Sequence, residues 1–280
     1  MISIQEIAKR INKREEYLSF VARNLFNMVH KSKKAKKNGG FRDITSPNEE
    51  LKNLLRLINK HIFGQFNLHK FFFLQPGCNH IRMLSQFTNS KFIITADIDD
   101  FYPTIHPAKV TKTLVDLNFD DNAAKLITRL TTFDSKLPQG FPTSPKIAAL
   151  ALNTVIIRLD GLSRKETFRI GLYADNLVMG SNYNPERFQK LIIKIFRQNG
   201  FLLDEFQVYN KGSVREAMGI RINSKLEVVQ SYIDAVKEEI IVFKNNPDQM
   251  HSFKSIKGKI DYIANVNTRQ AVILKKMIKF

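Results

Sequence analysis

Two acidic clusters, each placed at the end of an apolar run, restrict the fold of this chain more than any other feature. Asp97-Ile-Asp-Asp-Phe-Tyr102 closes the run Lys91-Phe-Ile-Ile-Thr-Ala96, and Tyr173-Ala-Asp-Asn176 lies between Arg169-Ile-Gly-Leu172 and Leu177-Val-Met-Gly180. The second cluster reads as a β-hairpin over 168–180 with its turn near Ala174-Asp175. Between the clusters the periodicity predicts helices at about 107–117 and 121–132. The loop Leu137-Pro-Gln-Gly-Phe-Pro-Thr-Ser-Pro145 then enters a helix running to Leu159, with Ser144 as N-cap and Pro145 at the first helical position. After the hairpin, Asn184 and Pro185 open an amphipathic helix that ends at Gly200, with Phe188, Leu191, Ile192, Ile195 and Phe196 on one face. Strand-like runs follow around 206–209, 218–222 and 226–229. Strand, helix, helix, hairpin, helix, strand is the order of a split βαβ sheet. The class is α+β, with Asp97 ending a central strand and Asp175 on the neighbouring turn.

Carboxylates at the tips of two adjacent strands are what metal-dependent nucleotidyl transfer requires. Two divalent cations roughly 3.5–4 Å apart must hold the attacking and leaving oxygens. The charge agrees: 44 Lys and Arg against 26 Asp and Glu give +18, which favours a polyanionic partner. The single cysteine, Cys78, excludes a disulfide framework and a zinc knuckle, and beside His80 it reads as a partly buried thiol rather than a ligand. No run approaches 18 apolar residues, and Met1-Ile-Ser-Ile-Gln-Glu lacks a signal-peptide pattern, so the expectation is a cytoplasmic protein without a membrane partner.

The flanks carry weaker signals. Residues 1–30 and 51–63 read as helical. Lys31-Ser-Lys-Lys-Ala-Lys-Lys37, closed by Asn38-Gly-Gly40, reads as a β-turn or hairpin tip carrying positive charge. Phe71-Phe-Phe-Leu74 reads as a buried strand or helix in preference to a base-stacking platform. From Asp234 onward the chain is helical and basic.

Six segments in this order resemble the prokaryotic reverse transcriptases, in the layout of retron and other defence-associated enzymes. They are Lys36-Lys-Asn-Gly-Gly-Phe-Arg42, Asp97–Tyr102, Leu137–Pro145, Tyr173–Asn176, Gly200-Phe-Leu-Leu-Asp204 and Met218-Gly-Ile-Arg-Ile-Asn223. The resemblance covers roughly residues 30–270. It implies a right-hand polymerase: N-terminal helices and fingers over 1–90, a split βαβ palm over 91–230 that includes a fingers–palm helical segment at 107–135, and a short helical thumb over 231–280. It implies Mg²⁺, or Mn²⁺, held by Asp97, Asp175 and the backbone carbonyl of Ile98, with Asn176 completing the catalytic motif and Asp99 and Asp100 behind the metal-binding pair. Lys36 and Arg42 would grip the triphosphate, Tyr102 would lie under the sugar and exclude a 2′-hydroxyl, and Gln139 and Gly140 would approach the template and the new base pair. Lys33, Lys34 and Lys37 would hold nucleic acid. The implied partners are an RNA template (a dedicated non-coding RNA in retron-type systems), the DNA product, deoxynucleoside triphosphates, and an effector protein in anti-phage defence.

The sequence also departs from the family's pattern. Asn176 stands where a second Asp is usual, and Gln207 stands where a Lys proposed to protonate pyrophosphate is frequent, with Lys211 four residues on. The Asn-Ala-x-x-His and Val-Thr-Gly elements of typical retron enzymes are not found. Two readings therefore remain beside an active RNA-directed DNA polymerase. One is a polymerase-like RNA-binding subunit with weakened chemistry; the other is a template-independent variant of the same fold.

Overall fold

The computed structural model describes residues 1–35, 40–245 and 250–278. It divides into two compact units, one of Met1–Phe72, Ile98–Gly161 and Leu191–Leu203, the other of Phe73–Asp97, Leu162–Lys190 and Asp204–Phe280. In chain order the elements are α1 (Ile4–Arg10), α2 (Glu15–Arg23), β1 (Val29–Ala35), β2 (Phe41–Pro47), α3 (Glu49–His61), α4 (His80–Ser85), β3 (Phe92–Ile98), α5 (Pro107–Asp116), α6 (Asp121–Thr131) and α7 (Ser144–Ala151). They continue with α8 (Asn153–Glu166), β4 (Arg169–Tyr173), β5 (Asn176–Ser181), α9 (Gln189–Gln198), β6 (Leu203–Tyr209), β7 (Glu216–Ala217), β8 (Ile220–Ile222), β9 (Leu226–Val228), α10 (Gln230–Asn245), α11 (Met250–Val266) and α12 (Thr268–Ile278).

The first unit is mainly helical, and several of its helices start where a short polar side chain can accept an orphan N–H. Ser3 Oγ takes the Glu6 N–H at 3.1 Å, Asn48 Oδ1 the Leu51 N–H at 2.9 Å and Asp120 Oδ1 the Ala123 N–H at 2.7 Å. Each such cap contributes about 1 kcal/mol. α3 buries Leu51, Leu54, Leu55 and Ile58, an i, i+3, i+4, i+7 stripe. β1 and β2 form an antiparallel ribbon, in register from Val29–Pro47 to Ala35–Phe41. Beyond Val29 every residue of β1 is exposed, so the ribbon has no core of its own. It is tied at its base, where the Asn48 N–H donates to the Met28 carbonyl at 2.7 Å and the Thr45 N–H to the Gln139 carbonyl at 2.9 Å.

In the second unit a four-stranded sheet has the order β4-β5-β3-β6, with β5 antiparallel to both β3 and β4. A Cβ on Gly171 of β4 would lie 2.5 Å from Met83 Cγ of α4, so glycine there lets helix and strand approach closely. Met83, Leu84 and Phe87 share a core with Ile93 and Val178 of this sheet and with Ala217, Ile220, Ile222 and Leu226 of the small sheet β7-β8-β9. The helices α10 to α12 close around Ile233, Val236, Ile240, Ile256, Ile260 and Ile263.

Local details correct the sequence reading at several points. Ser144 is the first residue of α7, not its cap; Thr143 before it already has near-helical angles, φ −83° and ψ −22°. The Ser144 hydroxyl instead donates to the Pro138 carbonyl at 2.7 Å, closing the proline-rich loop on itself. The helix expected to reach Leu159 is two helices, α7 and α8, separated at Leu152. Pro185 precedes a 3₁₀ turn, Glu186–Phe188, before α9 begins. Asn184 still acts as an acceptor, taking the Glu186 N–H at 3.0 Å. On α9, Ile192, Ile195 and Phe196 are buried, but Leu191 is 40% exposed. Phe71 and Phe72 are buried, though in an irregular segment rather than in a helix or an extended strand.

Candidate active site

The carboxylates are placed by strand register. β3 ends at Asp97-Ile98, and Asp97 pairs with Asn176, the first residue of β5. Asn176 pairs on its other side with Tyr173, the last residue of β4, which leaves Ala174 and Asp175 as a two-residue turn. Ala174 has φ +55°, a left-handed conformation unfavourable for a residue with a Cβ. The Asn176 Nδ2 donates to Asp175 Oδ1 at 2.9 Å, so the amide orients the turn carboxylate.

Burial, followed by the charges of Asp175, Glu205 and Asp204, pushes the Asp97 pKa up to about 6. All four influences raise it. Carboxylates gathered at strand ends form a hard-oxygen donor set that fits a divalent cation. Among the described residues no three His, Cys, Asp or Glu side chains form a complete metal cage. A cation here would need backbone, water or phosphate oxygens as well, which is the usual manner of Mg²⁺. Ile98, whose carbonyl is expected to help, is the buried residue next to Asp97. Asp99 and Asp100 are exposed, and Asp100 has φ +40°.

A cleft of about 390 Å³ opens beside the pair, lined by Asp97, Asn176, Glu205, Gln207, Tyr209 and Met218 among others. Gln207 accepts a hydrogen bond from the Tyr209 hydroxyl, and Lys211 is exposed. The approach of Asp204 and Glu205 to Asp97 was missed in the sequence. Two acids immediately after Gly200-Phe-Leu-Leu203, at the start of the strand beside β3, were its only signal.

The residues expected to handle nucleotide and nucleic acid lie in the first unit. Lys33 and Lys34 are exposed on β1. Lys31 differs from them: it pairs with Asp134 at 2.5 Å and lies over the Phe133 ring. Lys36 and Lys37 lie outside the described residues. The backbone of Arg42 pairs with Lys34 across the ribbon, but its side chain is likewise outside what is described. Tyr102 is half-buried, with its ring 5.3 Å from that of Phe101. Gly140, at φ +125°, passes so close to β2 that a Cβ would lie 2.5 Å from the Thr45 carbonyl oxygen. Gln139 Oε1 is buried without a hydrogen-bond partner.

Comparison with known proteins places this architecture. The family described as reverse transcriptase (RNA-dependent DNA polymerase) matches residues 31–200. The chain belongs to the reverse transcriptase family. It is 23% identical over 225 residues to the retron Ec86 reverse transcriptase of Escherichia coli, an overlap covering 79% of this chain and 65% of that protein. It is 23% identical over 274 residues to the retron Mx65 reverse transcriptase of Myxococcus xanthus, covering 87% of this chain and 62% of that one. The chain thus spans less than two thirds of the length of either relative. In fold it is similar to telomerase from Candida albicans, solved in complex with a fragment of telomeric RNA. The TM-score is 0.54 at 11% identity, over 94% of this chain and 59% of that one. The α+β polymerase fold expected from the sequence is therefore the observed one. Among the described residues no helix is long and apolar enough to cross a membrane.

Proposed function

We propose that the chain is an RNA-directed DNA polymerase that extends a primer 3′ end with deoxynucleotides, in a retron-type or anti-phage defence system. The observation that carries this reading is the register pairing of Asp97 with Asn176, which sets Asp175 on the adjoining turn and gathers acidic side chains at the strand ends. Bound there, a pair of Mg²⁺ ions would supply Lewis-acid activation of the 3′-hydroxyl and neutralisation of the phosphate oxygens. Asp97 and Asp175 would hold these ions, with the Ile98 carbonyl beside them, and Asn176 keeps the Asp175 carboxylate oriented by its hydrogen bond. Tyr102 excludes ribonucleotides, Arg42 and Lys36 take the triphosphate, and Gln139 with Gly140 meets the template. Fingers, palm and thumb follow the bounds 1–90, 91–230 and 231–280.

Asn176 and Gln207 favour one further reading, an RNA-binding subunit with weakened chemistry, because neutral amides stand where charge or a general acid is usual. The two readings separate when purified protein receives labelled deoxynucleotides and Mg²⁺ with RNA, DNA or no template. Incorporation that requires RNA supports the polymerase. RNA binding without incorporation on any template supports the subunit, and incorporation without a template supports the template-independent variant.

A further inference from the structure

His80 has no part in the chemistry proposed above, yet it touches the segment that carries the carboxylates. It opens α4, where Asn79 Oδ1 caps the helix by accepting the Arg82 N–H at 2.8 Å. The segment entering α4 is pinned to β4, since the Phe73 N–H donates to the Leu172 carbonyl at 2.8 Å. Held in this way, the imidazole makes two aromatic contacts. Its ring meets the Tyr173 ring edge-on, with centroids 5.5 Å apart and planes at 63°. It also stacks on Tyr262 of α11 at 5.9 Å and 25°, and its Nε2 lies 3.2 Å from the Tyr262 hydroxyl. Tyr262 in turn packs edge-on against Tyr232 of α10 at 5.9 Å. A continuous aromatic chain thus runs from α10 and α11 through His80 to Tyr173.

Tyr173 is where this chain reaches the chemistry. It is the cross-strand partner of Asn176 and the residue immediately before the strained Ala174-Asp175 turn. Rotating or shifting the Tyr173 ring would move the strand end from which Asp175 hangs. We propose that His80 is a positioning residue that clamps Tyr173 against the α11 tyrosine, so that the catalytic turn and the C-terminal helices are held as one unit. Burial lowers the His80 pKa, which keeps the imidazole neutral at pH 7 and able to share one proton with the Tyr262 hydroxyl while its ring faces stay apolar. Phenylalanine would keep the stack and lose the polar bond. Alanine would lose both.

The inference rests on the polymerase reading and is tested on the whole chain by single-nucleotide extension of an RNA-templated primer. The proteins are wild type, His80→Ala, His80→Phe, Tyr262→Ala and the His80→Ala/Tyr262→Ala double variant, with thermal melting measured alongside. Because displacement of a reacting group by about an ångström costs up to roughly a hundredfold, kcat of His80→Ala should fall about ten- to a hundredfold. KM for the deoxynucleotide should stay within about twofold, since the residues proposed to bind the nucleotide are elsewhere. His80→Phe should recover most of kcat. Because both residues act through one aromatic chain, the double variant should lose no more than His80→Ala alone. Multiplying losses, an unchanged kcat, or a loss that tracks the melting temperature without recovery in His80→Phe would overturn the inference. Absence of extension by a wild type that melts cooperatively would instead overturn the polymerase reading on which it rests.

Discussion

Two hairpins dominate this molecule, and they are built in opposite ways. β4–β5 joins its strands by two residues, buries nearly every side chain of β5, and is held against β3 by six register pairs. β1–β2 is exposed on both faces along most of β1 and carries Lys33 and Lys34 on a ribbon secured at its base. In the first, burial fixes register, because a one-residue slip would turn the apolar set outward, and a fixed register puts Asp97 opposite Asn176. In the second, Lys33 and Lys34 stand exposed on the ribbon, which suits the proposed role of following a phosphate backbone without reading it. Chemistry needs placed atoms; grip needs only charge.

The comparison can be sharpened first at Asn176. Asn176→Asp adds a full negative charge beside Asp97 and removes the amide that donates to Asp175. The Mg²⁺ concentration giving half-maximal extension should fall about tenfold, since a carboxylate near a divalent cation remains attractive even when screened. Any advantage of Mn²⁺ over Mg²⁺ should narrow with it. A rise in the Mg²⁺ requirement would mean that the amide bond matters more than the charge.

The basic ribbon should respond to salt instead. Lys33→Ala/Lys34→Ala should reduce the slope of log affinity against log salt by about 1.4 to 1.8, at roughly 0.7–0.9 for each phosphate that is no longer neutralised. Filter binding or anisotropy at several salt concentrations measures it, and an unchanged slope would remove these lysines from the interface.

A smaller effect lies in stability. The folded-state pKa of Asp97, about 6, stands above the ordinary carboxylate value of 3.8, so the native protein keeps this proton to higher pH than the unfolded chain does. Ionising Asp97 therefore costs stability. The cost is absent below about pH 4, grows through the interval, and is complete above about pH 6. Without metal, Asp97→Asn should melt a few degrees higher than wild type at pH 7–8 and at the same temperature near pH 4. Equal melting at both pH values would show that Asp97 is not strained by its neighbours.

The order strand, helix, helix, hairpin, helix, strand, with Asp97 at a strand end and Asp175 on the hairpin turn, was legible in the sequence, because apolar runs broken by turn residues leave few alternatives. The strand Val29–Ala35 and the helix α4 were not. What was not legible depended on contacts between distant residues. Ser144 has the chemistry of a cap, but the loop folds back and offers it the Pro138 carbonyl. The break at Leu152 interrupts an apolar pattern that would continue as one helix. Asp204 and Glu205 reach Asp97 only because β6 pairs beside β3, and His80 meets Tyr262 across 182 residues of chain.

The most direct test sets the two hairpins against each other in one experiment. Wild type, Asp175→Asn and Lys33→Ala/Lys34→Ala are assayed for RNA–primer affinity and, at saturating nucleic acid, for the single-turnover extension rate. Removing a proposed metal ligand should cost several kilocalories of transition-state stabilisation, so Asp175→Asn should bind as wild type but extend about a thousandfold more slowly or not at all. The lysine variant should bind more weakly and, once saturated, extend at the wild-type rate. Extension by Asp175→Asn at the wild-type rate would contradict the assignment of the chemistry to the buried hairpin.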